Sequence, residues 1–191
     1  MILSAAETII CEQGMQALKV RKIALEIGYT VGSVYMVFEN MDDLMLHIKA
    51  RTLDKLGLQL KQVISETNSH QNIRKLAKTY LQFANDNYHL WNMIFVHRLA
   101  DDKQTPKWYQ DKINALFQPI EQLLDDLKPG HYPQKKIHQA ARALWGGIHG
   151  ICILSLSRSL DAVGVYDVEQ SVLLLVDCFI NGWAQSITDN Q

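Results

Sequence analysis

Residues 23–38 read Ile23-Ala-Leu-Glu-Ile-Gly-Tyr-Thr-Val-Gly-Ser-Val-Tyr-Met-Val-Phe38, a pattern that predicts a helix, a tight turn at Gly28 and Tyr29, and a second helix. Ile23, Ala24, Ile27, Val34 and Phe38 supply an interior, and Ala24 is small enough to let the two helices approach closely. Thr30 stands where the second helix opens, and its hydroxyl can accept one of the orphan amides of the first turn. The outer face of that helix is left with Thr30, Gly32, Ser33 and Tyr35, short or hydroxyl-bearing residues suited to close approach to a DNA groove. The pattern alone leaves two readings open, a corner of a helical bundle or a DNA reader, because helix-turn-helix geometry is common in all-α proteins.

Outward from this stretch, apolar residues recur at helical spacing and no segment alternates long enough for a strand. A helix is expected over 2–13, with Ile2, Ala5, Ala6, Ile9 and Ile10 on one side and Gly14 as a left-handed cap. A short one over 20–27 is stopped by Gly28. Asn40 with Asp43 three residues on forms a variant capping box, opening a long helix that runs to about residue 64. Beyond a polar patch at 65–71, helices are expected over 73–86, 89–96, 106–127 (kinked at Pro119), 134–159 and 168–187, with a turn at Pro129, Gly130 and Pro133. The fold class is therefore all-α, about nine helices: a three-helix N-terminal module at 1–48, then a larger helical domain at 49–191.

Composition narrows the class. The chain has 191 residues, 48% hydrophobic and 20% charged, enough to bury a core without disulfides or metal and too apolar for disorder. Glu7 and Glu12 sit inside the first apolar stretch, which carries no basic n-region, so it does not read as a signal peptide. The apolar run at 172–180 is broken by Asp177 and is too short to span a bilayer; a cytoplasmic protein with no membrane partner is expected. Cys11, Cys152 and Cys178 form no CxxC pair and read as small buried hydrophobes. His149 and Cys152 share a helix face, but zinc takes three or four protein ligands and no third is evident, so no metal and no cofactor is expected. No Gly-rich phosphate loop, Glu-x-x-His pair or nucleophile elbow is found, and the chain reads as a non-enzyme.

Gly14, Val20-Arg-Lys-Ile-Ala24, Gly28, Gly32-Ser-Val-Tyr35, Phe38 and Asp42-Asp-Leu44 together resemble the DNA-binding signature of the TetR/AcrR family of transcription regulators, over most of residues 2–48. The resemblance implies a recognition helix at 31–38 in which Thr30, Ser33 and Tyr35 touch bases or phosphates, beside Gly32, with Arg21 and Lys22 facing the DNA backbone from the preceding helix. The sequence departs from the family where a basic residue or His commonly follows the Tyr and a Lys precedes the paired acids: it has Met36, Val37 and Met41. Residues 1–48 hold Lys19, Arg21 and Lys22 against Glu7, Glu12, Glu26, Glu39, Asp42 and Asp43, three cations minus six anions, a net of −3. Phosphate neutralisation supplies much of DNA affinity, so weak binding by a single module, dependent on dimer geometry, is expected.

Further on, Lys78-Thr-Tyr-Leu-Gln-Phe-Ala84, Asn87, Trp91, Met93 and Phe95, then Leu144-Trp-Gly-Gly-Ile-His-Gly150, resemble a TetR C-terminal subfamily with a Trp-His-Gly motif, with Tyr88 where a Pro is usual. Physical reading adds to this. Ala140, Ala143, Gly147 and Gly150 share one helix face, which can approach another helix closely, while Trp145, His149 and Cys152 lie on roughly the opposite one. Residues 172–183 are apolar nearly all round, so one side is core and another is expected to meet a partner. A homodimer through the last two helices is therefore expected, with Gly147, Gly150, Leu175, Phe179 and Trp183 at its interface. Bulky residues with a few polar tips, Tyr80, Phe83, Trp91, Phe95, Trp108, Phe117, Trp145 and His149, are candidates for an effector pocket, although aromatic stripes of this kind are more often plain core. The expected function is a ligand-responsive repressor on a palindromic operator, released by a small, largely apolar effector. A small-molecule or protein-binding helical module with a degenerate DNA reader is the alternative.

Overall fold

The computed structural model describes residues 1–65, 67–99, 104–127 and 132–185. Among these the chain is all-helical, with ten α-helices: α1 (Ile2–Gln13), α2 (Val20–Glu26), α3 (Val31–Tyr35), α4 (Met41–Val63), α5 (Ser69–Asp86), α6 (Tyr88–Val96), α7 (Lys107–Asp126), α8 (Gln134–Leu156), α9 (Ser159–Ala162) and α10 (Val168–Gln185). One more than expected is found because the helix expected over 134–159 closes at Leu156. Arg158, at φ 57°, turns the chain into the separate short α9.

Local chemistry explains the boundaries. At the end of α2, Gly28 takes φ 69°, its N–H donates to Leu25 O at 3.1 Å and the Tyr29 N–H to Ala24 O at 2.9 Å. This is the paired bonding of a Schellman cap, and only glycine enters that backbone region without strain. Gly14 also has positive φ (80°), but its ψ of 167° is extended rather than left-handed helical, a correction to the expected cap. At the start of α4 the Asn40 side chain accepts the Asp43 N–H at 3.0 Å, and Asp43 reaches back to the Glu39 N–H at 3.1 Å. The expected box forms, with its return bond one residue earlier. Helix α5 begins at Ser69, within the patch expected to be polar loop, because Asn68 accepts the Gln71 N–H at 3.1 Å and caps it. Helix α7 runs through Pro119.

The chain divides into two compact units, 1–56 with 86–112, and 57–85 with 113–191. The division expected at residue 48 falls inside α4, which supplies residues to both. In the first unit Ile9, Ile10, Ile23, Val34, Phe38, Leu44 and Ile48 form one core with Leu90 and Met93 of α6; full burial of each such side chain contributes about 1.5–3 kcal/mol. Glu7, nearly buried on α1, is met from α4 by Arg51 at 3.1 Å and Lys55 at 3.4 Å. In the second unit α8 and α10 pack on each other. Gly147 makes their close approach: a Cβ there would lie 2.7 Å from Leu175 Cδ2. Asp177, the acid that interrupts the apolar last helix, ties α10 to α5 through His70 at 2.8 Å and through Arg74. The Arg74 hydrogen bond, then that of His70, holds its carboxyl below the usual range. Of the cysteines read as buried, Cys152 is, but Cys11 and Cys178 are exposed.

Candidate functional site

The first unit presents the helix-turn-helix. Helix α2 buries Ile23 and Ala24 and α3 buries Val34, so the outer side of α3 carries no core duty. Thr30 caps α3 as expected: its Oγ1 accepts the Ser33 N–H at 3.2 Å and lies 3.0 Å from Ser33 Oγ. The two hydroxyls thus sit side by side at the exposed start of the helix, next to exposed Gly32. Regular helix ends at Tyr35 rather than running to Phe38, although the Phe38 N–H still donates to Val34 O at 3.1 Å and seats its ring in the core. Tyr35 and Arg21 are exposed, and the Lys22 ammonium donates to the Gln13 side chain, tying α2 to the end of α1.

Three of the pocket candidates belong to this same unit. Trp91 is fully buried, edge-on to Phe95 at 5.2 Å between ring centroids, and Trp108 stacks on His47 at 4.9 Å. Beside them Lys49 is buried, donates to His97 O at 3.1 Å and lies 5.5 Å from the Tyr109 ring. Burial pushes the lysine pKa down and that of Tyr109 up to about 12.

The other five belong to the second unit, and four of them touch in sequence. Phe117 meets Trp145 edge-on at 5.8 Å, Trp145 stacks on His149 at 5.0 Å, and His149 Nδ1 shares a 2.8 Å hydrogen bond with the Tyr80 hydroxyl. Phe83, one turn from Tyr80 on α5, is buried. Burial pushes the His149 pKa down and the buried Cys152 thiol up to about 11. The result is a largely apolar aromatic chain whose Tyr80 and His149 end is closed by a hydrogen bond between the two side chains. Among the described residues no group of three or more His, Cys, Asp or Glu could hold a metal ion.

A feature not expected from the sequence borders this chain. Arg142 lies 4.5 Å from the Phe117 ring centroid, donates to Glu121 Oε1 at 2.8 Å and to Asn114 Oδ1 at 3.1 Å, while His138 meets Glu121 Oε2 at 3.3 Å. Asn114, Glu121, His138 and Arg142 line an open polar cleft of about 790 Å³ between α7 and α8. His138 and Arg142 stand four residues apart, a spacing that reads equally well as a solvated helix face. Only the burial of Glu121 marks the difference.

The expected interface residues divide. Gly147 is met by Leu175 of the same chain, Trp183 is buried with its indole N–H on Leu124 O at 2.9 Å, and nothing lies within 4 Å of a Cβ at Gly150. Ile153 and Leu154 of α8 and Leu174 of α10 are exposed.

Comparison with known proteins agrees with this geometry. Residues 2–48 match the model of bacterial regulatory proteins of the tetR family, and residues 73–179 match that of the tetracyclin repressor-like C-terminal domain. An HTH-type transcriptional regulator of Staphylococcus aureus is 30% identical over 123 residues, 64% of this chain and 62% of that one. The chain thus spans less than two thirds of that relative's length. A protein of unknown function from Rhodococcus shares the fold at TM-score 0.79 and 19% identity, over 96% of this chain and 94% of its own. The regulator FadR of Bacillus subtilis, solved in complex with stearoyl-CoA, shares it at TM-score 0.61 and 16% identity, over 97% of each chain.

Proposed function

This chain belongs to the TetR family of bacterial transcription regulators, and from that premise we propose that it is a repressor which binds a palindromic operator as a homodimer and is released by a small, largely apolar effector. The observation that carries the reading is the presence, in one chain, of a capped α3 with a free outer face and an aromatic chain with few polar atoms. The first suits a DNA groove. The second is the composition of a ligand site.

Residues 1–48 act as the reader, with Thr30, Gly32, Ser33 and Tyr35 toward the groove and Arg21 and Lys22 toward phosphates. Residues 49–191 take the effector and the second protomer, with Phe117, Trp145, His149, Tyr80 and Phe83 at the effector site. Exposed Ile153, Leu154 and Leu174 on two helices that pack together support a four-helix interface with the partner's equivalent pair. That interface would also engage Gly150 and Phe179. That one structural relative was solved in complex with stearoyl-CoA supports a small-molecule effector. Coupling runs through α4, continuous from one unit into the other. No described helix is long and apolar enough to cross a membrane, and a DNA reader works in the cytoplasm.

Selection from a pool of random duplexes tests the reading. Enrichment of an inverted repeat with half-sites about 34 Å apart is expected. A pool left without any enriched sequence would favour a protein or small-molecule binding module with a degenerate reader.

A further inference from the structure

The reader carries an apolar surface that its hydroxyls do not account for. Val34 and Phe38 turn inward, but Met36 is 88% exposed and Val37 64%. On the preceding helix and turn Leu25 is 82% exposed and Tyr29 55%. Met36 and Val37 are neighbours in the chain, and large apolar side chains exposed side by side mark a surface that something covers. Position decides what covers this one, because Met36 and Val37 follow directly on α3 beside the exposed Tyr35, continuous with the DNA-reading helix of the family. Neither side chain carries a hydrogen-bond donor and the Met thioether accepts only weakly, while residues 1–48 offer phosphates only three cations, Lys19, Arg21 and Lys22, against six anions. The apolar feature a major groove presents is the C5-methyl group of thymine.

We propose that Met36 and Val37 read thymine methyl groups in the major groove, so that operator choice rests on thymine positions. The inference rests on the DNA-binding reading above and names what that reader recognises. Hydrophobic contact does not require counterion release, so it can support a reader whose electrostatics are poor.

The test replaces thymine by uracil, one position at a time, in the selected operator; uracil keeps every hydrogen-bonding group and loses the methyl. Binding is read by fluorescence anisotropy. At one or two thymines per half-site, uracil is expected to weaken wild-type binding about four-fold, the equivalent of the roughly 0.8 kcal/mol of one buried methylene. Met36→Ser and Val37→Ser, both at exposed positions and both without a methyl to offer, should weaken binding to the thymine operator and bind thymine and uracil duplexes alike. An operator that is selected and bound specifically, yet indifferent to uracil everywhere, overturns the inference and leaves the DNA reading standing. Failure to retain any duplex overturns both and assigns the apolar face to a protein partner.

Discussion

The Tyr80 hydroxyl and His149 Nδ1 lie 2.8 Å apart, joining α5 to the inner face of α8 by a hydrogen bond between two groups that stand among apolar rings. Tyr80→Phe keeps the ring and removes this bond, which should cost about 0.5–1.5 kcal/mol in urea unfolding. If the two atoms also present the polar end of the effector site, the same variant should weaken a ligand bearing a polar head more than a purely apolar one. Equal weakening of both ligands would place the bond outside the site.

Acid should destabilise the fold through two partly buried imidazoles. Burial lowers the pKa of His149; burial is also the first cause for His97, where Asp42 works in the opposite direction and Lys49 adds to the lowering. With unfolded values near ~6.5, the unfolded chain binds more protons below that pH, so stability is full above it and falls as pH drops toward the folded values. Urea midpoints measured from pH 8 to 5 should therefore decline more steeply in wild type than in the double variant His97→Gln, His149→Gln. Parallel declines would contradict this.

Loss of the α3 cap should be felt locally and at the DNA. Thr30→Ala removes the acceptor for the Ser33 N–H and should cost about 0.5–2 kcal/mol, with operator binding weakened and the second unit's aromatic chain unaffected. Thr30→Ser, which keeps the hydroxyl, should restore both stability and binding. A Ser variant as weak as the Ala variant would show that the methyl group, not the cap, matters.

At Gly147 the size of the added side chain decides the outcome. A Cβ there would press on Cδ2 of Leu175, the far end of a flexible side chain, so Gly147→Ala should be close to neutral, offset by a gain in helix propensity of about 1 kcal/mol. Gly147→Leu cannot be accommodated that way and should cost ~1–3 kcal/mol. Adding Leu175→Ala should recover part of the loss, and a double variant no better than the single one would mean that the close approach lies elsewhere.

How far this was readable from the sequence differs between the two units. The reader was legible because each of its signals is local: Gly28 needs positive φ, Thr30 and Asn40 satisfy amides within three residues, and Ile23, Val34 and Phe38 keep helical spacing. The effector candidates were legible as residue types but not as a set. Trp91, Phe95 and Trp108 belong with the first unit, whereas Tyr80, Phe117, Trp145 and His149 form a contact chain in the second. Nothing in helical periodicity says which helix an aromatic face will meet. The same applies to Asp177, which looked like an interruption of an apolar helix until His70 and Arg74, more than 100 residues away, were found to meet it. Gly147 was expected at a helix approach, and that approach is made within the chain.

An effector should act on the DNA equilibrium by its differential affinity for the bound and free states. With coupling of ~1–3 kcal/mol, saturation should lower operator affinity about five- to 150-fold. A series of acyl and aromatic ligands, followed by Trp fluorescence and then by operator release, checks this. A ligand that binds with no change in operator affinity would separate the aromatic chain from regulation.

A homodimeric repressor requires that two copies of this chain bind one operator. Sedimentation velocity of the protein at micromolar concentration, alone and then with the selected duplex, measures it directly. A particle of two chains that binds the duplex without dissociating is the expected result, with Leu154→Glu and Leu174→Glu shifting the free protein to the mass of one chain and abolishing the complex. A wild-type protein that sediments as one chain and occupies a half-site as tightly as the full inverted repeat would contradict the account.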